Sequence, residues 1–532
     1  MNTMKKTTTL LLLLLFSQLP AQQPISKSQW QEDLRFLQQK IHKDHSFLFK
    51  KITPVQWDAE VEELYQQIPN LQEHEIKVGL SRIISLFQYG HTQIPFSTVV
   101  ENGVLPVHLY HFKDGIYIEG VEKTHRKTLG AKVLKVAGIE IKEALAKIRP
   151  VVPVENDQYF KAYGLRFLTV PSVLHAQKVT SKLENEIILT LEKNGETFEY
   201  TFPTVPLKKM SRGFDFTIPN ETWLSVRNTN KTPLYLKYLN EKFYFFEYLS
   251  DTKTLYVRQS SVFNHDSETL KDFYKRLFKF IDANDVEKLI YDVRLNGGGN
   301  NYNNKPLIKG LLARPKINKK GHFFYITGRF TYSACQNLTN EIENYTEAVI
   351  IGEATAENKN FYGDATKVTL PNSKINTYLS FAWWQDMSPW ENADATSPHF
   401  YKEMTFDEYR TNQDPVLDLA MNLDVKDVIV DPIDHFTQLF LSGKMQQLEK
   451  DVARLIKDPL YQHIPFEKEF DRVGKLLLKQ GQLDGALYIY SMTTKFYPNV
   501  PEIWKGLGRA LEASGKTKEA KGAFVKAEQL SK

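Results

Sequence analysis

Between residues 254 and 431 the sequence alternates short apolar segments with helical ones. Apolar runs begin at Leu289, Phe323 and Ala348, and apolar residues recur at spacings of three and four over 270–281. The runs are too short for helices and predict strands, whereas the recurring spacing predicts an amphipathic helix. Strands that alternate with helices form crossover units, so this order predicts an α/β core with a largely parallel or mixed sheet. Catalytic and ligand-binding residues in such sheets lie in the turns after the carboxyl ends of the strands.

The other predicted segments flank this core. Lys5 and Lys6 precede an apolar stretch of about seven residues, far shorter than the roughly 20 that cross a bilayer. We therefore expect a secretory signal peptide over residues 1–22 and a periplasmic or secreted mature chain with no stable membrane insertion. The remaining expected segments are a helical segment over 23–100, a β-rich domain over 101–210, the core over 220–435 and a helical domain over 445–532.

The last of these segments contains an internal repeat. Four pairs of small or aromatic residues recur 34 positions apart: Gly474 and Gly508, Gly481 and Gly515, Ala486 and Ala520, and Tyr490 and Phe524. The period resembles that of tetratricopeptide repeats, which are helical hairpins. An unrelated four-helix tail is the alternative, and the repeats either bind a protein partner or only cap the chain.

Composition narrows the class of function. A net charge of +5 over 532 residues is close to balanced and argues against binding to nucleic acid through bulk charge. The single cysteine, Cys335, excludes an intramolecular disulfide and a cysteine-rich zinc site. Because no cluster has a metal-ligand spacing such as His-Glu-x-x-His, we expect no metal and no other cofactor.

The first motif that could carry chemistry is the glycine run Asn296-Gly297-Gly298-Gly299, which follows a predicted strand. Consecutive glycines let backbone N–H groups approach a ligand closely, and can form a concavity for a phosphate or an oxyanion. The run lacks the Gly-Lys-Ser/Thr ending of phosphate-binding loops. The same residues would also make an ordinary loop.

The second motif places Ser333 between a strand and a helix, where a nucleophilic serine is exposed at the sheet edge. The N–H group of Ala334 could then help to hold an oxyanion. A simpler interpretation is a helix capping box, since Ser333 and Gln336 have its spacing. Cys335 would project roughly 200° away from Ser333 on a helix, so we interpret it as a small core residue.

The third motif is Gly90-His91-Thr92, after an N-terminal helix. Histidine is the usual general base because its pKa lies near working pH. The chain has 13 histidines, and a single one in a loop is more often an ordinary surface residue.

Together these motifs resemble, in order, the tail-specific or C-terminal-processing serine peptidases. The resemblance covers about 29–422 and includes Gly-His-Thr, Asp-x-Arg-x-Asn-Gly-Gly-Gly, Gly-Arg-x-Thr-x-Ser-Ala, Gly-Glu-x-Thr and the later motifs at 370–373 and 414–417. It implies a crotonase-like or caseinolytic-protease-like core, often preceded by a PDZ-like peptide-binding domain. We place that domain in the β-rich segment, where Asn194-Gly195 predicts a hairpin, and a β-rich spacer is the alternative.

Carried over by position, the resemblance implies that Ser333 is the nucleophile. The implied oxyanion donors are the backbone N–H groups of Gly297 or Gly298 and of Ala334. The lysine base of bacterial processing enzymes has no counterpart, because Asn358 stands in its place. The Gly-His-Thr motif is similar to that of the tricorn-core-like branch, which uses a histidine base, so His91 is the candidate base.

The sequence leaves the identity of the third catalytic group open. Family versions often have an aspartate before the glycine of Gly-His-Thr, where this chain has Tyr89. Glu353 and Glu391 are the acidic candidates. The predicted function is a secreted serine-type endopeptidase that cleaves peptide or protein substrates through an acyl-enzyme on Ser333. The alternative is a catalytically inactive peptidase-like protein that binds peptides or envelope partners.

Overall fold

The computed structural model describes residues 24–213, 216–227, 231–426 and 428–531, so the expected signal peptide over 1–22 lies outside the described residues. Within them, no helix combines the length and the apolar character that crossing a bilayer requires. The chain is a mixed α/β protein with two large sheets between helical ends.

The N-terminal helices share a core with a much later hairpin. Their bounds are Lys27–Asp44 (α1), Pro54–Gln67 (α2), Glu73–Ser85 (α3) and Phe96–Val99 (α4). Ser26 and Thr53 begin α1 and α2 with capping boxes, which satisfy free N–H groups of the first turns. The fully buried Trp57 belongs to one apolar cluster with Tyr362 and Leu379, so these helices pack on residues that follow them by some 300 positions.

An antiparallel sheet follows, with strand order β1-β2-β3-β5-β6, β4 beside β3 and β9 beside β2. The strands are Val107–Phe112 (β1), Gly115–Glu122 (β2), Lys132–Val136 (β3), Ile139–Glu140 (β4), Glu186–Lys193 (β5), Glu196–Pro203 (β6), Arg212–Gly213 (β7), Phe216–Thr217 (β8) and Trp223–Ser225 (β9). Its helices are Ile141–Ile148 (α5), Asp157–Tyr159 (α6) and Pro171–Ala176 (α7). The predicted hairpin is confirmed, because Asn194 and Gly195 both have positive φ angles, 55° and 82°, between β5 and β6.

The core sheet has the order β10-β11-β12-β13-β14-β17, in which only the β10–β11 pair is antiparallel. The strands are Tyr244–Leu249 (β10), Thr254–Gln259 (β11), Lys288–Asp292 (β12), Phe323–Thr327 (β13), Val349–Gly352 (β14), Phe361–Thr369 (β15), Asn376–Trp384 (β16) and Phe400–Tyr401 (β17), where β15 and β16 form a separate hairpin. The helices are Leu270–Ala283 (α8), Lys305–Leu312 (α9), Ala334–Tyr345 (α10), Phe406–Arg410 (α11) and Pro415–Asn422 (α12). The predicted mixed sheet and the predicted helix over 270–281 are confirmed.

The two faces of the core sheet contact different helices. Side chains alternate between faces along a strand, so Leu289 and Tyr291 pack with α8, α9 and α10, whereas Ile290 packs on the opposite side. That second face belongs to one apolar cluster with Phe436 and Phe466 of the C-terminal helices. The C-terminal helices therefore cover the face of the sheet that α8, α9 and α10 leave open.

The C-terminal helices explain the 34-residue period. They are Pro432–Leu441 (α13), Met445–Leu455 (α14), Phe466–Lys479 (α15), Leu483–Phe496 (α16), Pro501–Ala513 (α17) and Thr517–Ser531 (α18). A Cβ at Gly474 in α15 would lie 2.6 Å from the Tyr490 ring in α16, and a Cβ at Gly508 in α17 would lie 2.6 Å from the Phe524 ring in α18. The repeated glycine thus lies directly against the repeated aromatic ring in each of two helical hairpins.

Candidate active site

Ser333 occupies a strained turn between β13 and α10. Its φ and ψ are 57° and −129°, a conformation that costs a non-glycine residue free energy and persists where the surroundings impose it. The Ser333 side chain makes no capping hydrogen bond, and Gln336 donates instead to Asn340 and Thr396. The capping-box interpretation is therefore wrong, and the turn has the geometry of a nucleophile elbow.

Gly298 makes this turn possible. Its φ is +98°, and a Cβ there would lie 2.6 Å from the Cβ of Ser333 and 2.9 Å from the N atom of Ala334. A side chain at this position would therefore displace the serine. At Gly297 a Cβ would meet nothing within 4 Å, so that residue borders open space.

The backbone N–H groups near Ser333 differ in their availability. The N–H group of Gly298 donates to Oδ1 of Asn296 at 3.0 Å and is already engaged. Those of Gly297 and Ala334 have no hydrogen-bond acceptor in the described part of the chain. Of the predicted oxyanion donors, Gly297 and Ala334 thus offer free N–H groups, and Gly298 shapes the turn.

His91 lies beside this turn, although it comes from the N-terminal part of the chain. Its ring stacks on Tyr332 with 4.9 Å between ring centroids, and its side chain is 23% exposed. Burial lowers the pKa of His91 to about 4, so the ring is neutral at neutral pH and can accept a proton. Its Nε2 atom has no hydrogen-bond partner among the described residues and lies 3.5 Å from Oε1 of Glu357.

Glu357 is the acidic residue that the sequence analysis missed. It is fully buried, its Oε2 accepts the N–H group of Ser333, and its Oε1 faces His91 without a hydrogen bond. Burial and the nearby Glu155 raise the pKa of Glu357 well above its usual value. The available sequence signal was its position, immediately before Asn358 and 24 residues after Ser333.

The other predicted residues lie apart from this group. Glu353 pairs with Arg329 at 2.8 Å, and Glu391 is exposed at the end of a short 3₁₀ helix, Pro389–Glu391. In the described residues neither carboxylate contacts His91 or Ser333. Cys335 is fully buried in the core, which confirms its interpretation as a core residue.

An apolar cavity of about 270 Å³ opens beside the glycine run. Gly297 and Gly298 form one wall, next to the Cβ of Ser333. The cavity is lined further by Ser260 and Ser261 and by the apolar side chains Tyr163, Phe243, Phe263, Leu295 and Phe330. A chain that reaches Ser333 could therefore place an apolar side chain here.

Comparison with known proteins gives the fold. No family model matches the chain, and no curated protein matches it. The structure of mature CPAF complexed with lactacystin superposes with a TM-score of 0.51 at 13% identity, covering 75% of this chain and 99% of that chain. The crystal structure of mature CPAF gives a TM-score of 0.50 at 12% identity, covering 76% and 99%.

At this identity the likeness to CPAF shows a shared fold and nothing more. The photosystem II D1 C-terminal processing protease covers 71% of this chain and 92% of its own, but at 10% identity its TM-score of 0.33 is too low to carry an argument. What the chain does must therefore be argued from the residues around Ser333.

Proposed function

We propose that the chain is a serine-type peptidase with Ser333 as nucleophile and His91 as general base. One observation carries the proposal: a strained serine stands beside two unengaged N–H groups, and a neutral imidazole stacks on the residue before it. These are the three parts that acyl transfer requires. The fold shared with CPAF and the order of the motifs support the same interpretation.

The reaction follows from the positions of these groups. Oγ of Ser333 attacks the carbonyl carbon of a peptide bond while Nδ1 of His91, the ring nitrogen that does not face Glu357, takes the hydroxyl proton. The negative charge on the carbonyl oxygen is held by the N–H groups of Gly297 and Ala334. The amine leaves with the proton from His91, and water, activated by the same ring, releases the acyl group from Ser333.

Glu357 is the acidic group that we assign to His91 in place of Glu353 and Glu391. Its Oε1 lies 3.5 Å from the ring nitrogen, close enough to stabilise the imidazolium that forms as Ser333 loses its proton. The substrate is a peptide or protein with an apolar side chain beside the scissile bond, which enters the cavity next to Gly298.

The finer features of the fold and the location belong to the same proposal. We assign a crotonase-like topology to the core, a PDZ-like role to the β-rich sheet and a tetratricopeptide-like role to α15–α18, where a protein partner could bind. The lysines and apolar stretch before residue 23 support export.

Labelling with a fluorophosphonate tests the proposal, because the probe reacts with activated serines. We expect the wild-type chain to label, Ser333→Ala to give no signal and His91→Gln to label at least about 10²-fold more slowly. Lactacystin, the compound in the CPAF complex, should slow labelling of the wild type. A correctly folded wild type that remains unlabelled would contradict the proposed activity.

A second candidate function is peptide binding without catalysis. It is favoured by the unbonded Nε2 of His91 and by Asn358 at the position of the family lysine. Hydrogen bonds to a catalytic base are often long without substrate and tighten when it binds, so the first candidate stands. Peptide binding by a chain that does not label would favour the second.

A further inference from the structure

Glu155 contacts all three segments that carry the proposed catalytic groups. It precedes α6 in the β-rich part of the chain and is 5% exposed. Its Oε1 accepts the N–H group of Gly90 at 2.7 Å and the hydroxyl of Tyr332 at 3.4 Å. Its Oε2 accepts the Nδ2 group of Asn358 at 2.5 Å and the N–H group of the same residue at 3.3 Å.

Each of these contacts adjoins a residue of the proposed site. Gly90 immediately precedes His91, Tyr332 precedes Ser333, and Asn358 follows Glu357. Tyr332 also stacks on the His91 ring, so its hydroxyl bond to Glu155 orients two of the groups at once. A shift of one carboxylate would therefore move the base, the nucleophile and the facing acid relative to one another.

The Glu155 carboxylate is itself held in place. The next residue, Asn156, donates its Nδ2 group to the carbonyl oxygens of Thr355 at 3.1 Å and Asp394 at 2.6 Å. Lys51 donates to Oδ1 of Asn358 at 3.3 Å and brings a positive charge to the same network. The loop that carries Glu155 is thus fixed to the segment that carries Glu357.

A local structural role alone does not account for this arrangement. A buried carboxylate without an ion pair costs free energy, and burial raises the pKa of Glu155 to about 7 while Lys51 lowers it. Asp33 is a buried carboxylate with a local structural role. It accepts the adjacent N–H groups of Asn372 and Ser373, each at 2.8 Å, and so holds a single turn. Glu155 instead joins the three segments that carry His91, Ser333 and Glu357.

We propose that Glu155 is a positioning residue of the peptidase site, holding His91, Ser333 and Glu357 in register through Gly90, Tyr332 and Asn358. The inference rests on the proposed function and extends it to a residue that contacts none of the reacting atoms. Sub-ångström order among catalytic groups matters, since a misplacement of about 1 Å can cost about 10² in rate.

The test is the variant Glu155→Gln, which keeps the shape but turns one acceptor into a donor that faces N–H groups. We expect kcat to fall about 10²-fold with KM within about threefold, and fluorophosphonate labelling to slow in parallel. The matched control is Asp33→Asn, a fully buried carboxylate in α1 that accepts the N–H groups of Asn372 and Ser373, which should leave kcat within about twofold. The double variant Glu155→Gln/Asn358→Asp reverses the direction of one hydrogen bond. Its kcat should be at least about tenfold higher than that of Glu155→Gln.

A readout without turnover separates this inference from the proposed function. NMR of a chain labelled at histidine follows the titration of His91, which should move in Glu155→Gln and stay in Asp33→Asn. If the wild type does not label but the His91 titration moves, the peptidase proposal fails and the positioning role stands. An unchanged kcat with an unchanged His91 titration would overturn the positioning role, and a change in both Glu155→Gln and Asp33→Asn would reduce it to general destabilisation.

Discussion

Two fully buried carboxylates in this protein, those of Glu119 and Glu357, differ in the hydrogen bonds that they accept. Glu119 in β2 accepts four hydrogen bonds, from His108 at 3.2 Å, the N–H group of Thr217 at 3.0 Å, Ser225 at 3.1 Å and Tyr409 at 2.6 Å. Within the described residues Glu357 accepts the N–H group of Ser333, and its Oε1 atom has no hydrogen-bond partner.

The pKa values follow the number of partners. Burial by itself would raise the pKa of Glu119, but the hydrogen bonds of His108, Tyr409 and Thr217 outweigh it and hold that pKa below its usual value. For Glu357 burial acts with the repulsion of Glu155, and the pKa is raised. Equal burial therefore gives opposite charge preferences, because the donors around Glu119 outweigh its burial and those around Glu357 do not.

The difference teaches which of the two acids is structural. Buried polar groups in proteins almost always find partners, so Glu119 is what a fold needs where the β-rich sheet meets α11. A buried acid with an unbonded oxygen costs the fold free energy, and acids with strongly raised pKa values cluster at functional sites. Glu357 has that property and faces His91 beside a strained serine.

The first prediction compares the two acids by replacing each of them with glutamine. Glu357→Gln should lower kcat/KM by about 10³–10⁴, because an amide, unlike a carboxyl group, cannot ionise to stabilise the imidazolium of His91. Its free energy of unfolding should match the wild type where the Glu357 carboxyl group is protonated and exceed it where that group is ionised, because burial raises the pKa of Glu357. Assays of ester or peptide hydrolysis, with urea denaturation, measure both.

Glu119→Gln is the matched control. It should leave kcat/KM within about threefold and lower the free energy of unfolding by about 1–3 kcal/mol, because the amide replaces an acceptor with a donor. The reverse pattern, with activity lost in Glu119→Gln and stability lost in Glu357→Gln, would show that the two acids have been assigned the wrong way round.

The second prediction compares two neighbouring glycines of the same site. Gly298→Ala places a Cβ 2.6 Å from that of Ser333 and should lower kcat/KM by about 10²–10³, with a lower melting temperature. Gly297→Ala meets nothing within 4 Å, so its melting temperature should match the wild type. Thermal unfolding and hydrolysis rates of the two variants test this difference. Equal losses of stability would mean that the turn at Ser333 can accommodate a side chain at Gly298.

The sequence could predict what depends on short-range patterns. The mixed sheet follows from the alternation around Leu289 and Phe323, and the β5–β6 hairpin follows from Asn194-Gly195, because both are local properties of the chain. The strand-to-helix position of Ser333 was predictable for the same reason. The capping interpretation failed there because a serine just before a helix fits both a cap and a nucleophile elbow, and the backbone geometry separates the two.

Contacts between distant segments could not be predicted. Glu155 contacts residues that are 65, 177 and 203 positions away in the sequence, and no spacing rule brings its carboxylate to Gly90, Tyr332 or Asn358. The same applies to the N-terminal helices, which complete their apolar cluster only with the β15–β16 hairpin.

The third prediction concerns the apolar cavity beside Gly298. Phe263 lines the cavity beside Gly298 and is 57% exposed, so Phe263→Ala should cost little stability. It should lower kcat/KM about 10-fold for substrates with a large apolar side chain next to the scissile bond, and less for alanine there. Phe381→Ala, in β16 and 55% exposed, is the matched control and should change neither. Equal effects of the two variants would place the apolar subsite elsewhere.

The smallest predicted effect is a pair of opposite pH dependences of stability. It tests directly whether the pKa values of Glu119 and Glu357 are shifted in opposite directions. The folded-state pKa of Glu357 is raised, so its contribution to stability is complete below the unfolded value near 4.5 and is lost as pH rises through the folded value. The free energy of unfolding of the wild type, relative to that of Glu357→Gln, should therefore fall as pH rises from about 4.5.

For Glu119 the folded pKa is lowered, so its contribution is complete above the unfolded value and is lost as pH falls through the folded one. The advantage of wild type over Glu119→Gln should therefore shrink as pH falls below about 4.5. Urea denaturation of the three proteins between about pH 2.5 and pH 8 measures both slopes. Slopes of the same sign would mean that the hydrogen bonds around Glu119 do not outweigh its burial, and the distinction between a structural and a catalytic buried acid would then have to rest on kinetics alone.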